Sequence, residues 1–145
     1  AGVPQVFNWG ANFYLSARSF NINTRNAMWI MMPCYGGLIK NKRSTSDSIV
    51  MQFFKHGGVV YFGGTLTEWG DGYTGPCKVP GGDYLIGTFY AFIAERFKPG
   101  VRVGDAYLEG KVKYLKEIHV DACCYRVGHE TLLYGDPTLT IKEVW

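Results

Sequence analysis

The segment MWIMMPCYGG, residues 28–37, runs an apolar stretch into Pro33, then Cys34, then Tyr35 and two glycines. A thiol in that position has two uses. Exposed and deprotonated, it is a nucleophile for a carbonyl carbon. Sequestered, it is a small buried hydrophobe, and on spacing alone that is the better account of Cys34. Acyl transfer also needs a base for the thiol proton and donors for the oxyanion. The three histidines, His56, His119 and His129, all lie C-terminal to Cys34. His56 and His119 are expected at helix C-termini, where a positive charge is favoured and a capping role suffices. His129 precedes a predicted strand and is the best placed of the three to act as a base.

The other chemistry-bearing residues have simpler readings. Cys77, Cys123 and Cys124 complete a set of four cysteines without C-x-x-C spacing, which disfavours a structural zinc site. Adjacent Cys123 and Cys124 cannot bridge each other without strain. Either could pair with Cys77 in an oxidising compartment, or all three are small core residues. Glu68, Asp71 and Asp83 lie in or beside a Gly-rich stretch, and such loops can bind calcium. Their spacing follows no calcium-loop pattern, so solvated loop acids are the favoured reading and no cofactor is expected. The glycines of HGGVVYFGG sit at the wrong ends of a strand for a phosphate-binding loop.

These residues need a scaffold, and 145 residues are enough for one domain, 1–145, with a sizeable core. Hydrophobic residues make up 47% and charged residues 19%, so the chain is globular. The net charge is +3, and the one basic run, Lys40, Lys42 and Arg43, reads as a solvated loop; nucleic acid is not an expected partner. No stretch approaches the length of a membrane span. No signal peptide is present, although a mature chain would have lost one.

The apolar run 27–32 predicts a buried strand, and 59–62 predicts a second. Between them STSDSIVMQFFKHGG predicts a helix over 47–56, started by Ser46 or Asp47 and ended by Gly57. Strand, helix and strand form a crossover unit that makes the two strands parallel neighbours. Residues 1–26 show no clean period, with a short helix near 11–19 as one option. A long loop spans 65–82. A second helix is expected over 84–97, and a third over 103–118 with Ala106, Val112, Leu115 and Ile118 as its apolar stripe. TLLYGDPTLTI reads as strand, turn, strand, with Asp136 and Pro137 in the turn. The expected fold is α/β, a parallel-dominated sheet with helices on both faces. In such sheets functional groups gather where parallel strands end. Cys34 follows the first strand, and the stretch from Gly63 to Trp69 follows the second, so both are expected at one rim.

Three stretches, in this order and spacing, resemble the gingipain family of cysteine peptidases, which share the caspase-like fold. They are WIMMPCYGG, GGVVYFGGTLTEWG and LLYGDPTLTI, and the likeness extends over residues 9–142. The resemblance implies that Cys34 is the nucleophile and that its backbone N–H helps hold the oxyanion. It implies that Gly63, Gly64, Thr65 and Trp69 line or gate the substrate pocket, with Trp69 as an aromatic lid. Asp136 and Pro137 would be structural, and some family members bind structural calcium. It implies an extracellular or cell-surface setting and a match to the C-terminal portion of the family's catalytic domain. The family's His-Gly element, upstream of the cysteine, has no counterpart before Cys34, and FNWGANF falls just downstream of where it would lie.

Two functions of different class follow. In the first, the chain is a segment of an endopeptidase acting on peptide substrates, with its histidine on a segment outside these residues. In the second, the scaffold is a catalytically silent structural subunit of an extracellular assembly or filament, its ends tied down by neighbouring copies. Both expect a protein partner or self-association, because an uncovered strand edge and partly uncovered apolar positions such as Phe89, Phe92 and Ile93 require a cover.

Overall fold

The computed structural model describes residues 6–8, 14–18, 20–31, 35–39, 44–66, 86–117 and 122–142; for 6–8, 14–16 and 122–124 it describes the backbone alone. The two apolar runs form strands β3 (Met28–Met31) and β4 (Val60–Gly64), paired in parallel with Met28 opposite Val60 and Met31 opposite Gly63. The connection between them carries helix α1 (Ile49–Lys55). Strand β5 (Thr131–Gly135) lies antiparallel on the other side of β4, with Gly64 opposite Thr131. The sheet is therefore mixed, in the order β3-β4-β5, and β4 is buried along its whole length.

Alternation along β4 explains the two-sided core. Val60 and Phe62 point to one face, where helices α2 (Ile86–Ala94), α3 (Val103–Glu117) and α4 (Ala122–Glu130) supply Phe89, Ile93, Tyr114 and Val127. Tyr61 points to the other face, where it meets Met31, Phe20 and the Ile49, Val50 and Phe53 side chains of α1. Helices thus cover both faces, as expected. Each fully buried side chain of this size contributes about 1.5–3 kcal/mol relative to exposure. Phe89 and Ile93 are fully buried, not partly uncovered, and the Lys113 ammonium lies 4.4 Å from the centre of the half-buried Phe92 ring.

Several local expectations are corrected. In place of a helix near 11–19 stands an antiparallel pair, β1 (Val6–Asn8) and β2 (Tyr14–Ser16). Neither Ser46 nor Asp47 starts α1. Ser48 occupies the N-cap without a side-chain cap bond, after a 3-10 turn at Thr45–Asp47. The buried Asp47 carboxylate instead accepts from Arg18 Nε at 2.9 Å, which ties the N-terminal segment to this turn. Gly57 does end α1, in a left-handed conformation at φ +94° that glycine adopts without strain.

The buried face of α3 keeps Ala106 of the expected stripe but departs from it at Val112 and Leu115, and Ile118 lies outside the described residues. It comprises Val103, Ala106, Gly110 and Tyr114, while Val112 is 40% exposed and Leu115 packs only in part. Gly110 is the reason. A Cβ there would lie 2.6 Å from Ile93 Cα, so α2 and α3 approach closely at a position without a side chain.

The segment after β5 turns at Asp136, whose Oδ1 accepts from the Thr138 N–H at 2.8 Å and the Thr138 hydroxyl at 2.6 Å. These bonds hold the Asp136 carboxyl below its ordinary pKa. The second strand expected here does not join the sheet. The Val103 N–H donates to Leu139 O, the Gly100 N–H to Ile141 O, and the Ile141 N–H to Val101 O, which fastens the start of α3. No helix among the described residues is long and apolar enough to cross a membrane.

Candidate active site

Beyond β3, the chain is described again at Tyr35; Cys34 itself lies outside the described residues, as do Trp69, Cys77, His119 and the loop acids Glu68, Asp71 and Asp83. Tyr35 has φ +59°, a left-handed conformation uncommon for a residue with a side chain. Its N–H donates to Leu66 O at 2.8 Å, and the Gly37 N–H donates to Gly64 O at 2.7 Å. The turn after residue 34 is thereby bonded to the segment that leaves β4. The approach is close enough to need glycine on both sides. A Cβ on Gly37 would lie 2.5 Å from Gly63 O, and one on Gly63 would lie 2.9 Å from Gly37 N.

Two phenols hold the same turn. The Tyr61 hydroxyl donates to Gly36 O at 2.7 Å, and the Tyr134 hydroxyl donates to Gly37 O. On its other side, the post-β4 segment is tied to the α4–β5 junction, because the Thr65 N–H and hydroxyl both donate to Glu130 O, at 3.0 and 3.2 Å. Gly63, Gly64 and Thr65 therefore meet Tyr35, Gly36 and Gly37 at one rim, formed by the C-terminal ends of β3 and β4 and the N-terminal end of β5.

The electrostatics of this end keep its phenols neutral. Burial, with a smaller contribution from Tyr134, pushes the Tyr107 pKa to about 12, and its hydroxyl donates to Thr131 O at 2.7 Å. Burial also raises Tyr134 and lowers Lys111, whose ammonium lies 3.3 Å from the Tyr107 hydroxyl. Glu130 is ion-paired with Arg126 one helical turn earlier.

The described histidines divide by position. His56 is the C-cap of α1, with its N–H on Gln52 O and its ring 5.1 Å from Phe20. Its carbonyl accepts from Thr24 N–H ahead of β3, which places it at the end of the sheet opposite the Tyr35 turn. The capping role expected for it is the one it has. His129 is exposed and directly precedes Glu130, so it stands at the same rim as Thr65.

An apolar groove of about 610 Å³, lined by residues including Met28, Val60, Val103, Leu139 and Ile141, lies at the far end of the sheet, away from this rim. Among the described residues no group of three or more His, Cys, Asp and Glu side chains could hold a metal.

Residues 9–142 match a family model described as Peptidase family C25. The chain belongs to peptidase family C25, the gingipain family of cysteine peptidases. No curated protein and no solved structure matched it. The C25 match spans all three stretches that carry the sequence resemblance and includes every residue of the rim.

In this C25 chain, sequence reasoning placed Gly63, Gly64 and Thr65 at the rim where the structure has them but missed the contacts of Tyr61 and Tyr134 with the turn. Their role depends on strand register: Tyr61 is directly opposite Tyr134 across β4 and β5. A tyrosine within two residues of a glycine in each strand, in VVYFGG and LLYGDP, was the available signal.

Proposed function

We propose that this chain is a segment of a C25 cysteine endopeptidase in which Cys34 is the nucleophile. The single observation that supports this reading most is the pair of backbone bonds from Tyr35 and Gly37 to Leu66 and Gly64. They fasten the turn covalently joined to Cys34 against the loop that, by family resemblance, receives the substrate. Gly63, Gly64 and Thr65 form the fixed base of that pocket and Trp69 its aromatic lid.

In the proposed reaction the Cys34 thiolate attacks the scissile carbonyl carbon, and the C–S bond forms as charge moves to the carbonyl oxygen. The N–H of residue 34 is one oxyanion donor. The N–H groups of Tyr35 and Gly37 cannot serve, because both are committed to the post-β4 segment. Collapse expels the amine, which takes the proton that left the thiol, and water then releases the acyl group. A histidine on a separate segment carries that proton. General acid–base help of this kind is worth about 10²–10⁴-fold. No cofactor takes part in the reaction, and calcium on the loop acids would be structural. The setting is extracellular or cell-surface.

One observation favours a partner under either function. Among the described residues β3 pairs only with β4, and its alternate residues Met28 and Ile30 are 38% and 36% exposed. A protein partner, a second copy or the histidine-bearing segment would cover them. In the alternative reading that cover makes the chain a structural subunit of an extracellular assembly, with Cys34 silent.

Intact-mass measurement and terminal sequencing of the native material, combined with a peptide-hydrolysis assay, separate the two. The enzyme reading expects a histidine-bearing segment to accompany the chain and hydrolysis to vanish in Cys34→Ala. A histidine-bearing segment without hydrolysis supports the structural reading. In sedimentation, a stable 16.3 kDa species with nothing bound would remove the need for a partner.

A further inference from the structure

We propose that two copies of this chain pair through the outer faces of α3, antiparallel about a two-fold axis. The contact is separate from the β3 edge and from the rim, and it does not depend on the role of Cys34.

Helix α3 buries Val103, Ala106, Gly110 and Tyr114 against the rest of the fold. At about 3.6 residues per turn, the opposite face carries Leu108 and Val112, one turn apart. Both are exposed, at 59% and 40%. They lie in a shallow depression of about 490 Å³, with Arg96, Glu109, Lys113 and Lys116 on its walls. Charges of both signs ring this apolar pair, which does not suit a strongly anionic partner such as nucleic acid or an acidic membrane surface.

Along one flank of α3 the charges are ordered by sign. Asp105 and Glu109 lie in its N-terminal half, Lys113 and Lys116 in its C-terminal half. A two-fold axis crossing the helix between residues 110 and 111 reverses its direction and keeps this flank on the same side. Asp105 then faces Lys116 of the second copy, Glu109 faces Lys113, and Arg102 faces Glu117. In the same register Leu108 of one copy enters the depression around Val112 of the other. A parallel pair would set Asp105 and Glu109 against themselves, so the order of signs selects the antiparallel arrangement.

The flank is free to make these contacts. Glu109 is exposed and stands 3.8 Å from Arg96 Nε, beyond hydrogen-bond distance. Lys116 is exposed and forms no ion pair among the described residues. Asp105 accepts from Arg102 Nε at 2.7 Å, so an incoming lysine extends a pair into a network. Lys113 is already bonded to Glu95 at 3.0 Å, which leaves Lys116 the larger share of the contact. Lys111, nearest the axis on the other flank, is drawn toward its own chain, with its ammonium 3.3 Å from the Tyr107 hydroxyl. The apolar patch is small and exposed ion pairs are individually weak, so the dimer forms at micromolar or higher concentration and weakens with salt.

The test is sedimentation equilibrium of the 145-residue chain from micromolar to millimolar concentration. It compares wild type, Asp105→Lys, Lys116→Glu and an equimolar mixture of the two variants. Far-UV circular dichroism checks folding, and if Asp105→Lys fails to fold, the exposed Lys116 decides. The expected result is a monomer–dimer equilibrium whose dissociation constant rises about tenfold in each variant alone, where two ion pairs become like-charge contacts. In the mixture each copy supplies the sign the other needs, and the dissociation constant is expected to return to the wild-type value. A wild-type chain that stays monomeric over the whole range overturns the pairing. Association that neither variant weakens places the contact elsewhere, the β3 edge included, and overturns it too, as does a mixture of folded variants that fails to recover. None of these outcomes bears on Cys34 as nucleophile.

Discussion

The Gly37 N–H donates to the Gly64 carbonyl at 2.7 Å, joining the turn after Cys34 to the end of β4 backbone to backbone. Gly37→Ala would place a Cβ 2.5 Å from Gly63 O and 2.8 Å from Gly63 C, against main chain that cannot move aside cheaply. Urea unfolding should show a loss of about 1–3 kcal/mol, the usual cost of overpacking. Cys34 reactivity should fall with it. Gly100→Ala is the control. That glycine is left-handed, at φ +82°, and has nothing within 4 Å of an added Cβ. Its substitution should leave Cys34 unchanged. Equal loss of reactivity in both variants would mean that the close approach at Gly37 is not what matters.

The crossing of α2 and α3 depends on Gly110 and not on the apolar residues of the outer face. Gly110→Ala puts a Cβ 2.6 Å from Ile93 Cα and 2.8 Å from Ile93 N. A loss of about 1–3 kcal/mol is expected in denaturant unfolding. Val112→Ala, on the solvent side, should change stability by less than about 0.5 kcal/mol. The reverse order of effects would return the packing face to Val112.

Tyr107 makes an alkaline limit. Its pKa rises from 10.0 in the unfolded chain to about 12 in the fold, so above 10 the unfolded chain loses its proton first. The stabilisation is fully present below pH 10 and is lost as pH rises toward 12. Lys111, whose folded pKa is lowered, acts with the opposite sign and is kept constant in the comparison. Stability measured against pH should decline less steeply in this window for Tyr107→Phe than for wild type. Identical slopes would show that the Tyr107 phenol is not protected by burial.

How much was legible in the sequence can be seen residue by residue. The parallel pairing of β3 with β4 was readable because two unbroken apolar runs flank a helix with Ile49, Val50 and Phe53 at helical spacing. Helix α4 was not, because the stretch from Ala122 to Glu130 mixes cysteines, charge and glycine without a clear stripe; among its described side chains Val127 enters the core cluster. The second segment after Asp136 has strand-like alternation, but its bonds go to the start of α3, a choice set by tertiary geometry and not by local pattern. At the site, the meeting of the two post-strand segments followed from topology alone. The Tyr61–Tyr134 hold on the turn did not, since it requires knowing that β5 is antiparallel and which residues oppose. The chemistry of Cys34 came from family resemblance, not from spacing.

Peptide hydrolysis tests Cys34 most directly. The 145-residue chain alone should cleave peptides little or not at all, and the same chain joined by a histidine-bearing C25 segment should cleave them, with activity abolished by Cys34→Ala. Robust cleavage by the isolated chain would contradict the need for an outside base, and undiminished cleavage by the joined Cys34→Ala protein would contradict Cys34 as the nucleophile.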